Sequence, residues 1–292
     1  MSRRSHLSAR IWPPFVPAAI VAAVTVILPQ SASASDESAW DRDVSSAARL
    51  VGGGERTQAG KRVLSAGLQI RLNRGWKTYW RYPGDSGVPP AFDFSASVNV
   101  AAVEVFYPAP KRFPDGAGGH SIGYDGEVIL PLRVVPKDAS RAATLRLNLD
   151  YAVCEKVCVP AKAKAELKLL VGSRTHGDAI ARAEALVPKA GAVGDPGALA
   201  IRSVRREAGA SKPRMIVDVA APSGSNVALL AEGPTPQWAL PVPEPVAGAG
   251  PGMQRFAFDL DGLPPGAAAA GAILRLTAIA GEQAIEVPFR LD

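Results

Sequence analysis

The chain has 292 residues, 47% of them hydrophobic, which is long and apolar enough for two domains with cores of their own. Its formal charge of +6 points to no particular partner: Arg3, Arg4 and Arg10 lie in a segment read below as a leader, and without them the net charge is +3. No run of Lys and Arg is interleaved with aromatics, so nucleic-acid binding is not expected. Proline (26) and glycine (28) are plentiful and dispersed, which suits many short strands and turns better than long helices.

Taken in order, residues 1–34 read as a secretory signal. Arg3, Arg4 and Arg10 form a basic start, residues 16–28 are apolar apart from Pro17 and Thr25, and Ala32-Ser33-Ala34 is a small-residue cleavage site. The apolar run is shorter than the roughly 20 residues a membrane helix needs. Residues 35–60 are polar and Gly-rich and are expected to be a flexible leader. Strand signals begin at residue 61: Leu64, Ala66, Leu68, Ile70 and Leu72 alternate with their neighbours at period two. Trp76, Tyr79, Trp80 and Tyr82 make the densest aromatic cluster, closed by the turn Pro83-Gly84-Asp85-Ser86-Gly87. Residues 98–107 and 127–135 read as strands, with a long Gly- and Pro-rich loop over 108–123 between them; loops of that length are often functional.

Leu145, Leu147, Leu149 and Tyr151 alternate with Arg146, Asn148 and Asp150, and the pattern resumes at Ala165, Leu167 and Leu169. Ala179, Ile180, Ala183 and Leu186 fall at helical spacing with Asp178 in the first turn, so a helix is expected there, followed by a linker to about residue 200. From residue 201 strand signals return, around residues 214–219, 255–260, 273–279 and 285–291. The fold class expected is all-β: a first sandwich over 61–172, a helix and linker over 173–200, and a second, smaller β-sandwich over 201–292.

Cys154 and Cys158 are the only cysteines and sit between two of these strands. In an extended strand such positions are roughly 13 Å apart, whereas a disulfide brings its Cα atoms within about 4.4–6.8 Å. If the thiols pair, the chain must turn at Glu155-Lys156-Val157. The ring closed is so small that chain entropy credits it with only about 2 kcal/mol. A redox pair is favoured over a structural staple, and an exported chain is where such chemistry persists.

Gly75-Trp76-Lys77-Thr78-Tyr79-Trp80-Arg81-Tyr82-Pro83-Gly84-Asp85-Ser86-Gly87, Tyr107-Pro108-Ala109-Pro110-Lys111-Arg112-Phe113, Gly123-Tyr124-Asp125-Gly126-Glu127-Val128-Ile129-Leu130-Pro131 and the stretch from Tyr151 to Pro160 come in an order that resembles one module. It is the amino-terminal periplasmic domain of the DsbD family of thiol–disulfide reductases, including its copper-tolerance branch, ScsB. The resemblance implies an immunoglobulin-like sandwich and a thiol–disulfide oxidoreductase whose Cys154 and Cys158 pass electrons to periplasmic thiol proteins, with no cofactor. It also implies a cap over the cysteines, by motif order residues 113–124, so that Phe113, His120, Ile122 and Tyr124, with Tyr79 and Tyr82, are candidate site-lining residues. Best-known members space the cysteines more widely and continue into membrane helices and a thioredoxin-like domain. Neither occurs in this sequence, so a separate membrane thiol reductase is the expected electron donor.

Lys156 and Lys162 would favour a thiolate and Glu155 would oppose it. The competing reading is a binding module of a copper-tolerance or cytochrome c maturation system, with Cys154 and Cys158 as Cu(I) ligands. A Cys–His hydrolase does not fit, because the cysteines open no helix and no orienting partner is evident.

Overall fold

The computed structural model describes residues 35–58, 60–116, 118–169, 172, 174–207 and 213–292; the expected signal segment lies outside them. Eleven strands build the first half: β1 (Asp41–Arg42), β2 (Ser46–Gln58), β3 (Lys61–Leu72), β4 (Lys77–Gly84), β5 (Ala91–Asp93), β6 (Val100–Val105), β7 (Lys111–Pro114), β8 (His120–Asp125), β9 (Glu127–Pro136), β10 (Ala143–Cys154) and β11 (Cys158–Leu169). One sheet runs β1-β2-β3-β9-β6, the other β11-β10-β4-β8-β7 with β5 added to β10. Period-two alternation turns Leu64, Leu68, Leu130, Leu132, Leu145 and Leu149 inward, where they meet Trp80 in a shared core.

Residues 46–58 are not a loose leader. They form β2, paired along its length with β3, and Ser46 and Tyr151 join their hydroxyls at 2.7 Å to tie β2 to β10. The glycines that suggested flexibility serve packing. A side chain at Gly53 would put its Cβ 2.7 Å from the Ile180 Cδ1, and one at Gly67 would meet Ile129 and Ile180. Ile180 belongs to α1 (Gly177–Ala185), within the span where helical spacing was read, and the small residues let that helix lie against the sheet.

The second half is a smaller sandwich of two four-stranded sheets. Its strands are β12 (Lys189–Ala190), β13 (Ala200–Arg206), β14 (Arg214–Ala220), β15 (Val227–Glu232), β16 (Glu244–Val246), β17 (Met253–Asp259), β18 (Ile273–Ala280) and β19 (Gln283–Arg290). The sheet orders are β12-β19-β18-β15 and β13-β14-β17-β16, around a core that includes Ile201, Val217, Leu229, Phe256 and Leu276. The segment after the helix, expected as a linker, contributes a strand: Lys189 and Ala190 pair in parallel with Ile285 and Glu286.

The two sandwiches touch. Arg81 on β4 donates from Nε and Nη2 to Glu232 at 2.9 and 2.7 Å and also pairs with Glu286. Burial works against the charge on Arg81, but the hydrogen bonds and charges of the two glutamates outweigh it and hold its pKa above the ordinary arginine value.

Candidate functional site

The long hairpin β10–β11 carries the cysteines at its closed end. Twelve residue pairs run in register from Ala143–Leu169 to Cys154–Cys158. The pattern that buries Leu145, Leu147, Leu149, Tyr151 and Val153 in the core turns Cys154 to the opposite face, where it packs with Ala152 and Tyr79. The chain reverses over Glu155-Lys156-Val157, and Cys154 and Cys158 are joined in a disulfide with Cα atoms 4.1 Å apart. The two sulfurs have different surroundings: Cys154 is 6% exposed, whereas Cys158 is exposed, and Val157 beside it is 71% exposed.

Tyr79 supplies the polar contact. Its hydroxyl lies 2.8 Å from Cys158 Sγ. A disulfide sulfur carries no proton, so the phenol is the donor. The ring is 3% exposed, and burial raises the phenol pKa, which keeps it protonated and able to donate. The turn after β4 lies on this ring: Gly87, at φ +123°, has the Tyr79 ring where a Cβ would stand.

The other expected residues divide. Phe113 lies near the site: with Trp76, Lys77 and Glu155 it lines a groove of about 690 Å³, and Lys77 sits directly opposite Cys154 in the β4–β10 register with its ammonium 5.4 Å from the Phe113 ring centroid. Ile122 and Tyr124 do not cover the cysteines; they are buried in the first core, with the Tyr124 hydroxyl donating to the Pro108 carbonyl at 2.8 Å. Tyr82 is also a core residue, and its hydroxyl donates to Leu240 of the second sandwich. His120 accepts at Nδ1 from Arg112 Nη2, 2.9 Å away. The expected cap loop is a hairpin, β7–β8, separated from β10 by β4, and it leaves Cys158 exposed. Strand pairing accounts for the difference: β8 pairs with β4 and β7 with β8, which commits the backbone of residues 111–114 and 120–125 to the sheet.

Of the charges near the pair, Lys162 is held by Asp150 at 2.8 Å rather than by a sulfur. The Glu155 carboxylate lies over Gly75, 3.1 Å from where a Cβ would stand. Among the described residues no group of three or more His, Cys, Asp or Glu side chains is placed to hold a metal ion. No helix of the described residues is long and apolar enough to cross a membrane. Sequence reasoning missed the seat of Gly87 on Tyr79 and the bonding of Asp85 to the β7–β8 hairpin; the Pro-Gly-Asp-Ser-Gly turn was the available signal.

Residues 55–170 match the family model of the N-terminal region of the thiol:disulfide interchange protein DsbD. No curated protein sequence matches the chain. The fold is similar to a crystal structure of the N-terminal periplasmic domain of ScsB from Proteus mirabilis, at a TM-score of 0.66 and 20% identity over 88% of this chain and 98% of that one. A marsupial T cell receptor aligns over 87% of this chain and 97% of its own at a TM-score of 0.21 and 11% identity, too low to carry an argument. The hairpin that carries Cys154 and Cys158 falls inside the matched segment, so residues 55–170 form a DsbD amino-terminal domain, a thiol–disulfide interchange module.

Proposed function

We propose that the protein is exported to the periplasm and passes electrons through Cys154 and Cys158 to thiol proteins there, recharged by a separate membrane thiol reductase. The observation that carries this reading is the asymmetry of the pair: one sulfur exposed at a hairpin end and hydrogen-bonded by a phenol, the other buried behind it. In the dithiol form the Cys158 thiolate attacks a partner disulfide, forming a mixed disulfide and releasing one partner thiolate, which takes up a proton. The Cys154 thiolate then attacks Cys158 Sγ. The Cys154–Cys158 bond forms, the mixed disulfide breaks, and the second partner sulfur leaves as a thiolate and is protonated. Two electrons and two protons have then moved to the partner. Tyr79 donates to Cys158 Sγ and so favours its thiolate over its thiol.

The test is the reduction potential of the pair in purified protein, from equilibration with glutathione buffers. A disulfide that exchanges reversibly within the glutathione range supports the reading. One that stays oxidised in excess glutathione is structural and rules it out.

A further inference from the structure

The second sandwich carries no cysteine, yet it holds one end of a bonded path to Cys158. Glu244 on β16, an edge strand of its sheet, pairs with Arg112 on β7. Arg112 has no acceptor atoms, so its Nη2 donates both to Glu244 and to His120 Nδ1, the latter at 2.9 Å. The His120 backbone is locked to the turn after β4 on both sides. Its N–H donates to Asp85 Oδ2 at 2.8 Å, and its carbonyl accepts from the Asp85 N–H at 2.9 Å. Gly84, at φ +84°, brings the backbone so close to the His120 carbonyl that a side chain has no room. Two residues beyond Asp85, Gly87 rests on the Tyr79 ring, and the Tyr79 hydroxyl reaches Cys158 Sγ at 2.8 Å.

We propose that Glu244 is a positioning residue for the exchange reaction: through Arg112, His120 and Asp85 it fixes the turn that presses Gly87 onto Tyr79, and so holds the phenol on the Cys158 sulfur. An exposed ion pair alone contributes little to stability. Here its effect is geometric. Arg112 bonds both the second sandwich and the His120 ring, and its side chain is only 20% exposed, against 58% for Glu244. The second sandwich thereby gains a function the cysteines alone do not assign: it sets the geometry of the neighbouring sulfur. The inference rests on the reading of Cys154 and Cys158 as an exchanging pair.

The experiment is a double-mutant cycle on the full mature chain. In reduced protein, the Cys158 thiol is titrated by the ultraviolet absorbance of its thiolate, and the rate of reaction with a small aromatic disulfide is followed against pH. Tyr79→Phe should raise the thiol midpoint by on the order of one pH unit, the worth of a hydrogen bond to a charged group. Glu244→Gln and Asp85→Asn should each move it in the same direction by less, slow the reaction at neutral pH, and add nothing when combined with Tyr79→Phe. Thermal melts of all variants accompany the titrations, and Asp85→Asn enters the path at a second point. Wild-type titration in both single variants overturns the proposal. So does an effect that adds in full to that of Tyr79→Phe, or an effect of Asp85→Asn without one of Glu244→Gln. If instead the wild-type disulfide fails to react with any thiol, the functional reading falls, while the titration of the reduced protein still reports on the Tyr79 bond.

Discussion

A long hairpin of the first sandwich, β10–β11, and one of the second, β18–β19, make a comparison within one molecule. In the first, β10 and β11 pair over twelve positions and close on Cys154 and Cys158. In the second, β18 and β19 pair over eight and close on Ala280 and Gln283. The second keeps its register through ladder hydrogen bonds and the burial of Leu274, Leu276 and Ala278, with no covalent link. The first buries Leu145, Leu147 and Leu149 in the same way. Its register is therefore already specified without the disulfide. The bond is surplus to that register, as the proposed exchange through it requires.

Removing the cysteines makes the first hairpin resemble the second, and this is the largest effect expected. Changing both Cys154 and Cys158 to Ser should abolish thiol–disulfide exchange completely. Stability should fall by no more than about 2 kcal/mol, the chain-entropy value of so small a ring, and melting temperature by only a few degrees in a chain of this size. Calorimetry beside an insulin-reduction assay would check both. A collapse of the fold would show that the first hairpin, unlike the second, depends on its bridge.

The next largest effect lies where the sandwiches meet. Arg81 is sandwiched between carboxylates whose side chains are 11% and 27% exposed. Changing it to Met removes the cation that Glu232 and Glu286 share and leaves Glu286 only Arg275, 3.4 Å away, which costs about 3 kcal/mol at a buried site. The urea midpoint should drop accordingly, with loss of the single transition expected if the sandwiches unfold together. If the midpoint holds, the two halves are stable independently, and their hairpins can be compared as separate domains.

A smaller, pH-dependent effect belongs to the second sandwich alone. Asp218 on β14 accepts from Arg255 on β17 at 2.6 and 3.0 Å, and this pairing lowers its pKa below the ordinary value. Its contribution to stability is full above the unfolded Asp value of about 3.9 and is lost as the pH falls through the lower folded value. Asp218→Asn should therefore lower the melting temperature at neutral pH and flatten its decline on the acid side. An acid limb identical to wild type would assign acid sensitivity to other carboxylates.

How much of this was legible follows from burial. The hairpin of the first sandwich was readable because one face is buried and the other wet, so Leu145, Leu147 and Leu149 alternate with Arg146, Asn148 and Asp150. Residues 46–58 were not. Much of that strand is buried on both faces, between its sheet and α1, and three glycines replace the apolar residues that would have marked it. The β7–β8 hairpin was hidden by its own Gly and Pro content. Tyr79 was singled out by its aromatic neighbours, but its role depends on a face. Tyr82 is three residues on, an odd number, so in a period-two strand it turns into the core while Tyr79 faces the cysteines. The same alternation buries Ile122 and Tyr124 together. The path from Glu244 to Asp85 joins residues far apart in sequence, and no local pattern announces it.

The smallest effect separates the two turns themselves. The second hairpin reverses over Gly281 and Glu282, and Gly281 has φ +62°, a conformation that costs other residues about 1 kcal/mol. Nothing lies within 4 Å of the position its Cβ would take, so the cost of Gly281→Ala is backbone strain alone. The first hairpin reverses over Glu155, Lys156 and Val157, none of which has a positive φ. Lys156→Ala should therefore stay within about 0.5 kcal/mol of wild type, while Gly281→Ala loses about 1 kcal/mol, both read from urea midpoints. Gly281→Ala should leave the exchange rate unchanged, since Gly281 is in the other sandwich. Equal losses in the two variants would mean that the turn of the first hairpin is strained too. The disulfide would then hold a conformation the chain does not favour, and the hairpin's independence from its bridge would fail.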